Sequence, residues 1–372
     1  MTSTLYTPGT LFTGEEFLSG YAVEVTSGRV TALIPSDALP DSAEVHSLPG
    51  LLAPAFIDLQ VYGGDGRMFS LRPSVEALQA TYDYCARGGA TRFMATVATN
   101  APGVMEAAMD AVNQYWSEGR PGLLGLHLEG PYLNPVKKGA HLSRYITTPT
   151  MEGLAALTSR AAGRLKMMTL APECSDADCV RYLIDQGVLV SAGHSNATYE
   201  QATAAFRMGI PTATHLYNAM SPLEHRAPGL VGAIFDGTPF ASVVADGIHV
   251  DFRAIRIAKK IMGERLFLIT DAVTEATSDS YTYIREGDRY VREDGTLAGS
   301  CLTLALAVRN LVTHGVTTPF EALRMASLYP ARVAGLDREL GRIAPGYRAD
   351  WVTLDEGWNI TGTLAAGEAL FG

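Results

Sequence analysis

From residue 53 onward the chain alternates between two hydrophobic rhythms. Short apolar runs fall at residues 56–60, 92–98, 123–128, 166–171, 188–193, 212–215, 241–245 and 266–271. Unbroken runs of that length suit parallel strands covered on both faces. Between them, residues 74–88, 104–118, 150–163, 175–187 and 199–209 carry apolar positions at helical spacing. Most of these stretches end on glycine, which accepts the left-handed backbone that closes a helix. Eight strands alternating with helices predict a closed parallel barrel. The rival, an open doubly wound sheet, would place a G-x-G-x-x-G turn after its first strand, and none is present.

The ends read differently. Residues 1–52 are rich in Thr, Ser, Gly and Val; residues 21–25 alternate, and residues 30–34 follow a Ser27-Gly28 turn. Residues 349–354 and 360–364, bounded by Pro345-Gly346, are also strand-like. The expectation is an α/β chain. A (β/α)8 TIM-type barrel spans 53–345, and a small β-sandwich domain is built from both termini, 1–52 plus 346–372.

Composition narrows the function. With 47% hydrophobic and 18% charged residues over 372, the chain is globular rather than disordered. A net charge of -10 argues against nucleic acid or an anionic membrane as partner. A phosphate would need a local basic pocket. Four cysteines without a C-x-x-C pair suit reduced thiols. No basic residue precedes Arg29, and no apolar stretch approaches the roughly 20 residues of a membrane span. A cytoplasmic protein is expected.

Four strands run into residues able to bind metal or move a proton: Glu129, His194, His215 and Asp271. In a parallel barrel those ends converge on one mouth. One carboxylate and two imidazoles with a fourth position open is a common catalytic zinc set. Asp271 could be a ligand, a helix cap, or a base passing a proton to a leaving amine. His141, after Gly139-Ala140, could donate to a carbonyl oxygen gaining charge, or stand exposed in its loop. Arg226 and His249 lie in loops after strands, where they could hold an anion or be solvated charges.

Gly341–Asp350 and the strand at 56–58, with the two strand-end histidines and the aspartate, resemble the amidohydrolase superfamily. Within it, the blocks 127–134, 137–141, 191–198, 214–220, 245–251 and 297–300 resemble the N-acetylglucosamine-6-phosphate deacetylase family along essentially the whole chain. That resemblance implies metal-dependent hydrolysis of the acetamide of an N-acetylated sugar phosphate, giving glucosamine 6-phosphate and acetate. It implies Glu129, His194 and His215 as metal ligands, Asp271 as general base and acid, and His141 as polariser of the amide carbonyl. Ala140, Asn218, Ala219, Ala298, Gly299 and Ser300 would surround the substrate. Arg226 and His249 would grip the phosphate, completed across a homodimer interface.

Many amidohydrolases carry His-x-His on the first strand to bind a second metal; here Gln60-Val61-Tyr62 stands there. Neither Gln60 nor Tyr62 is a good ligand for a second site, though Gln60 would lie near the metal. One divalent ion per chain is therefore expected, Zn2+ first, with Fe2+, Mn2+ or Co2+ also fitting the ligands.

Overall fold

The computed structural model describes residues 3–39, 44–278 and 281–371. Residues 59–84 with 93–302 form one compact unit, and residues 1–58, 85–92 and 303–372 another.

The eight apolar runs are strands. They are β1 (Phe56–Val61), β2 (Ala90–Ala98), β3 (Leu123–Glu129), β4 (Leu165–Leu170), β5 (Leu189–Ala192), β6 (Thr212–Ala213), β7 (Phe240–Val243) and β8 (Leu266–Leu268). They lie side by side in chain order in one sheet. A parallel bridge from Val61 to Ala272 nearly closes the ring, with Asp271 N donating to Gln60 O at 3.0 Å. Every residue of β1 is buried, as an unbroken apolar run requires when both faces are covered.

The connecting helices start and stop on local signals. Tyr199–Met208 opens on a reciprocal Thr198–Gln201 capping box and closes on Gly209, whose φ of 118° a side chain would resist. The helix expected from residue 104 begins earlier, as Pro102–Ser117, because proline suits the first helical position.

The barrel interior below the mouth holds a directed chain of polar groups. His127 is fully buried, and its Nδ1–H donates to Leu59 O at 3.1 Å. Its Nε2 must then accept from Thr169 Oγ1 at 2.8 Å. Thr169 Oγ1 in turn accepts from Thr214 at 2.7 Å, and Thr214 from Ser191 at 2.6 Å. Burial pushes the imidazole pKa down to about 4, so His127 is neutral and each hydroxyl proton has one direction.

Between β8 and the helix Leu304–Thr313 the pattern of single strands and helices is broken by a four-stranded antiparallel sheet. Its strands are Ala276–Thr277, Thr282–Glu286, Arg289–Val291 and Leu297–Ser300. The sequence reading anticipated only its last strand, as a pocket-lining segment.

In the other unit the two termini share one sheet. Trp351–Leu354 pairs antiparallel with Val45–Pro54, which pairs with Thr4–Phe12. Trp351 is fully buried and meets Tyr6 edge-on, ring centroids 5.3 Å apart, among Val23, Val25, Leu52 and Ile343. Truncating such a tryptophan to alanine costs about 3–5 kcal/mol. The fold is thus a TIM-type barrel with a β-sandwich domain drawn from both termini.

Candidate active site

Parallel register brings the strand ends level. Ala98 pairs with Glu129, Glu129 with Thr169, Leu170 with Ala192, and Ala192 with Ala213. Glu129 is the last residue of β3, whereas His194, His215 and Asp271 lie two or three residues past β5, β6 and β8. All three of the latter have positive φ: 47°, 38° and 54°. A left-handed residue at the strand end turns the side chain back over the mouth, at a backbone cost that the surrounding structure must hold.

The side chains meet at the Glu129 carboxylate. Its Oε1 lies 3.0 Å from His215 Nε2 and 3.3 Å from His194 Nε2, and those two nitrogens are 3.0 Å apart. Its Oε2 lies 3.0 Å from His141 Nε2 and accepts a short hydrogen bond from Tyr62. Gln60 Nε2 donates to Glu129 Oε1 at 3.1 Å and to Asp271 Oδ1 at 2.8 Å, tying the two carboxylates together. His249 Nε2 stands 3.9 Å from Asp271 Oδ2, and its Nδ1 is paired with Asp246 at 2.6 Å.

Hydrogen bonds on the far side of each ring decide what it can do. His194 Nδ1 lies 2.9 Å from Lys137 O, so it carries the proton and leaves Nε2 a lone pair. His141 is the reverse. Its Nδ1 accepts from the Thr99 backbone N–H at 3.2 Å, so the neutral ring carries its proton on Nε2. His215 Nδ1 has no partner among the described residues, so no hydrogen bond on the far side fixes the proton of this ring.

Ligand atoms of Glu129, His141 and His194 lie within 4.8 Å of one another. By tautomer, however, His194 Nε2 suits a cation and His141 is a hydrogen-bond donor; His215 Nε2 joins the former by position, 3.0 Å from both Glu129 Oε1 and His194 Nε2. A carboxylate oxygen and two imidazole nitrogens converging in this way fit a divalent ion.

Burial and the Glu129 charge push the Asp271 pKa up, which favours a carboxyl able to exchange a proton. Burial also opposes the charge on Glu129, but His141 and His194 outweigh it and hold that carboxyl well below the usual range. Burial, then His194, pushes His141 down to about 4. Tyr62, buried against Glu129, is held neutral as a donor.

The cavity over these groups is lined also by Gly139, Ala140, Asn218, Ala219, Ala298 and Gly299. Two of the expected substrate residues stand elsewhere. Ser300 is buried, with Oγ donating to Thr270 O at 2.6 Å and its N–H to Asp271 O at 3.0 Å, so it supports the Asp271 turn. Arg226 lies in an exposed loop, and no lysine or arginine is among the described residues lining the cavity.

Residues that sequence reading left out are Tyr281, Tyr283 and Val273 on the inserted segment, and Ala98 at the end of β2. Tyrosines alternating at 281 and 283 are the signal that one face of a strand meets the site.

Comparison with known proteins places the chain in a family. The sequence model of the amidohydrolase family matches residues 51–370. An N-acetylglucosamine-6-phosphate deacetylase of Haemophilus influenzae is 35% identical over 372 residues, covering 96% of this chain and 97% of its own. An N-acetylgalactosamine-6-phosphate deacetylase of Escherichia coli O157:H7 is 36% identical over 364 residues, 94% of each chain. The crystal structure of an N-acetylglucosamine-6-phosphate deacetylase from Pasteurella multocida superposes with a TM-score of 0.95 at 32% identity, over 100% of both chains. The chain belongs to the amidohydrolase family, among its N-acetylglucosamine-6-phosphate deacetylases.

Proposed function

We propose that the chain hydrolyses the acetamide of N-acetyl-D-glucosamine 6-phosphate to D-glucosamine 6-phosphate and acetate. The observation that carries this reading is the opposed tautomers at one carboxylate. His194 offers a lone pair and His141 a proton, within 3.3 Å of Glu129 oxygens.

Glu129, His194 and His215 would hold one divalent ion, zinc foremost. When bound there, such an ion supplies Lewis acidity and makes a nearby water easier to deprotonate. Asp271 takes the proton from the attacking water and returns it to the nitrogen of the breaking C–N bond. His141 Nε2–H donates to the acyl oxygen as charge builds on it. Gln60 and Tyr62 fill the place of a second metal with hydrogen bonds to Glu129. A homodimer would supply Arg226 of the partner subunit to the phosphate, with His249 from the same chain. A reduced, cytoplasmic setting suits the four free cysteines.

The 36% identical relative named for the galactosamine substrate supports a second reading, in which the C4 epimer is accepted. The two sugars differ in one hydroxyl, which few contacts read.

The test is acetate release from both sugar phosphates by purified protein, before and after chelation, with metal measured on the same sample. Chelator-sensitive release with about one ion per chain is expected. No release by folded, metal-loaded protein would overturn the reaction, and two ions at full occupancy would overturn the single-metal site.

A further inference from the structure

The loop that carries His141 is fastened on both sides of that residue by the inserted antiparallel sheet. Arg292 donates from its guanidinium to Ala140 O at 2.6 Å. Tyr281 Oη accepts from Leu142 N at 3.3 Å and donates to Thr99 O at 2.6 Å. Thr99 is also the residue whose N–H fixes the His141 tautomer, at 3.2 Å from Nδ1. The guanidinium carbon of Arg292 lies 5.6 Å from the centre of the Tyr281 ring, so the two fasteners brace each other.

The His141 ring also meets Glu129 Oε2 at 3.0 Å and the edge of the His194 ring, but its loop backbone has few local ties. Its backbone N–H closes a tight turn to Lys138 O at 3.0 Å, and no helix or barrel strand includes residues 138–142. A buried hydroxyl that satisfies both a carbonyl and an amide is costly to lose, because each is left without its partner. Tyr281 is 2% exposed, so water does not readily replace it.

We infer that Tyr281 and Arg292 are positioning residues for His141: the inserted sheet sets the ring against the acyl oxygen and keeps Nε2 as its protonated nitrogen. This rests on the reading of His141 as the donor to that oxygen. Neither residue is a ligand or a proton carrier. Their effect passes through residues 140, 142 and 99 to a single imidazole.

That route has a distinctive kinetic signature. A donor displaced by about 1 Å loses much of its value, on the order of ten- to a hundredfold in rate. Once the donor is gone, its supports have nothing left to position, so the losses do not multiply.

The experiment is a double-mutant cycle on metal-loaded enzyme with Tyr281→Phe, Arg292→Ala, Arg292→Lys and His141→Gln. kcat, KM, metal content and melting temperature are measured for each variant. Tyr281→Phe and Arg292→Ala are expected to lower kcat roughly tenfold in the parent, with KM changed less than about threefold. Arg292→Lys restores part of the rate by keeping a donor to Ala140 O. In the His141→Gln background the same two substitutions change kcat less than about twofold.

Equal fold-losses with and without His141 would overturn the inference while leaving the donor role standing. A His141→Gln enzyme with parental kcat would overturn the donor role, and the inference with it. Should Tyr281→Phe fail to fold, the half-buried Arg292 pair carries the same cycle.

Discussion

His194 and His141 carry the same ring with the proton on opposite nitrogens. One backbone group decides each case: the Lys137 carbonyl at 2.9 Å from His194 Nδ1, and the Thr99 amide at 3.2 Å from His141 Nδ1. Sequence reading could find both histidines, since one follows a buried strand and the other a Gly-Ala pair. It could not find the tautomers, because Thr99 and Lys137 belong to other segments of the chain and meet the rings only in the fold. Tyr62 was passed over as a poor ligand, yet it serves Glu129 as a donor.

On the proposed mechanism, loss of Asp271 separates chemistry from metal binding. Asparagine in its place keeps the oxygen that accepts from Gln60 Nε2 at 2.8 Å, so the surrounding contacts survive. Asp271→Asn is expected to cost about 10²–10⁴ in kcat with metal content unchanged. Steady-state rates beside metal analysis check this, and near-parental turnover would remove Asp271 from the proton path.

At the level of elements, the site depends on turns that the chain would not adopt unaided. The His194 turn, at φ 47°, is followed by Ser195 and Asn196, which both bond one carboxylate. Glu173 accepts from Ser195 Oγ at 2.6 Å and Asn196 N at 2.6 Å, and from Asn134 Nδ2 at 2.9 Å. Asn134 N also donates to His194 O at 2.9 Å. Three loops, each following a different strand, are thereby joined around His194, a proposed ligand. Glu173→Ala should weaken the cation about 10–100-fold, as loss of a ligand's supporting contacts does. Competition with a chromophoric chelator measures it, and an unchanged affinity would mean the turn holds itself.

The motif residues Asn134, Ser195 and Asn196 were visible in the sequence. Glu173 was not, since a half-buried glutamate after a strand resembles a surface charge. The inserted sheet was missed for a related reason. Its strands are short, and the hairpin at Gly287-Asp288 falls after the eighth barrel strand, where a helix was the next expected element.

On the scale of the molecule, the barrel and the shared terminal sheet were legible because each has its own hydrophobic period. Continuous runs gave the strands covered on both faces, and alternation gave the terminal strands. Trp351 against Tyr6 could be anticipated only as strand residues, not as partners 345 positions apart in sequence.

The cavity lining has a further consequence for charge balance. The two carboxylates Glu129 and Asp271 would offset a divalent ion bound there, and no lysine or arginine lines the cavity among the described residues. A phosphate dianion entering this mouth therefore meets no lysine or arginine on the described lining itself, and the Arg292 guanidinium behind it is engaged by Ala140 O. If Arg226 of the partner subunit supplies the balance, recognition of phosphate becomes a property of protein concentration. KM for the phosphorylated sugar should rise as the enzyme is diluted from micromolar to nanomolar, while KM for unphosphorylated N-acetylglucosamine stays level. A phosphorylated-substrate KM that ignores dilution, measured where sedimentation shows monomers, would place the compensating cation within the single chain. A KM that rises on dilution instead makes self-association a condition of selectivity, so that the dispersed protein loses its preference for the phosphorylated sugar before it loses its chemistry.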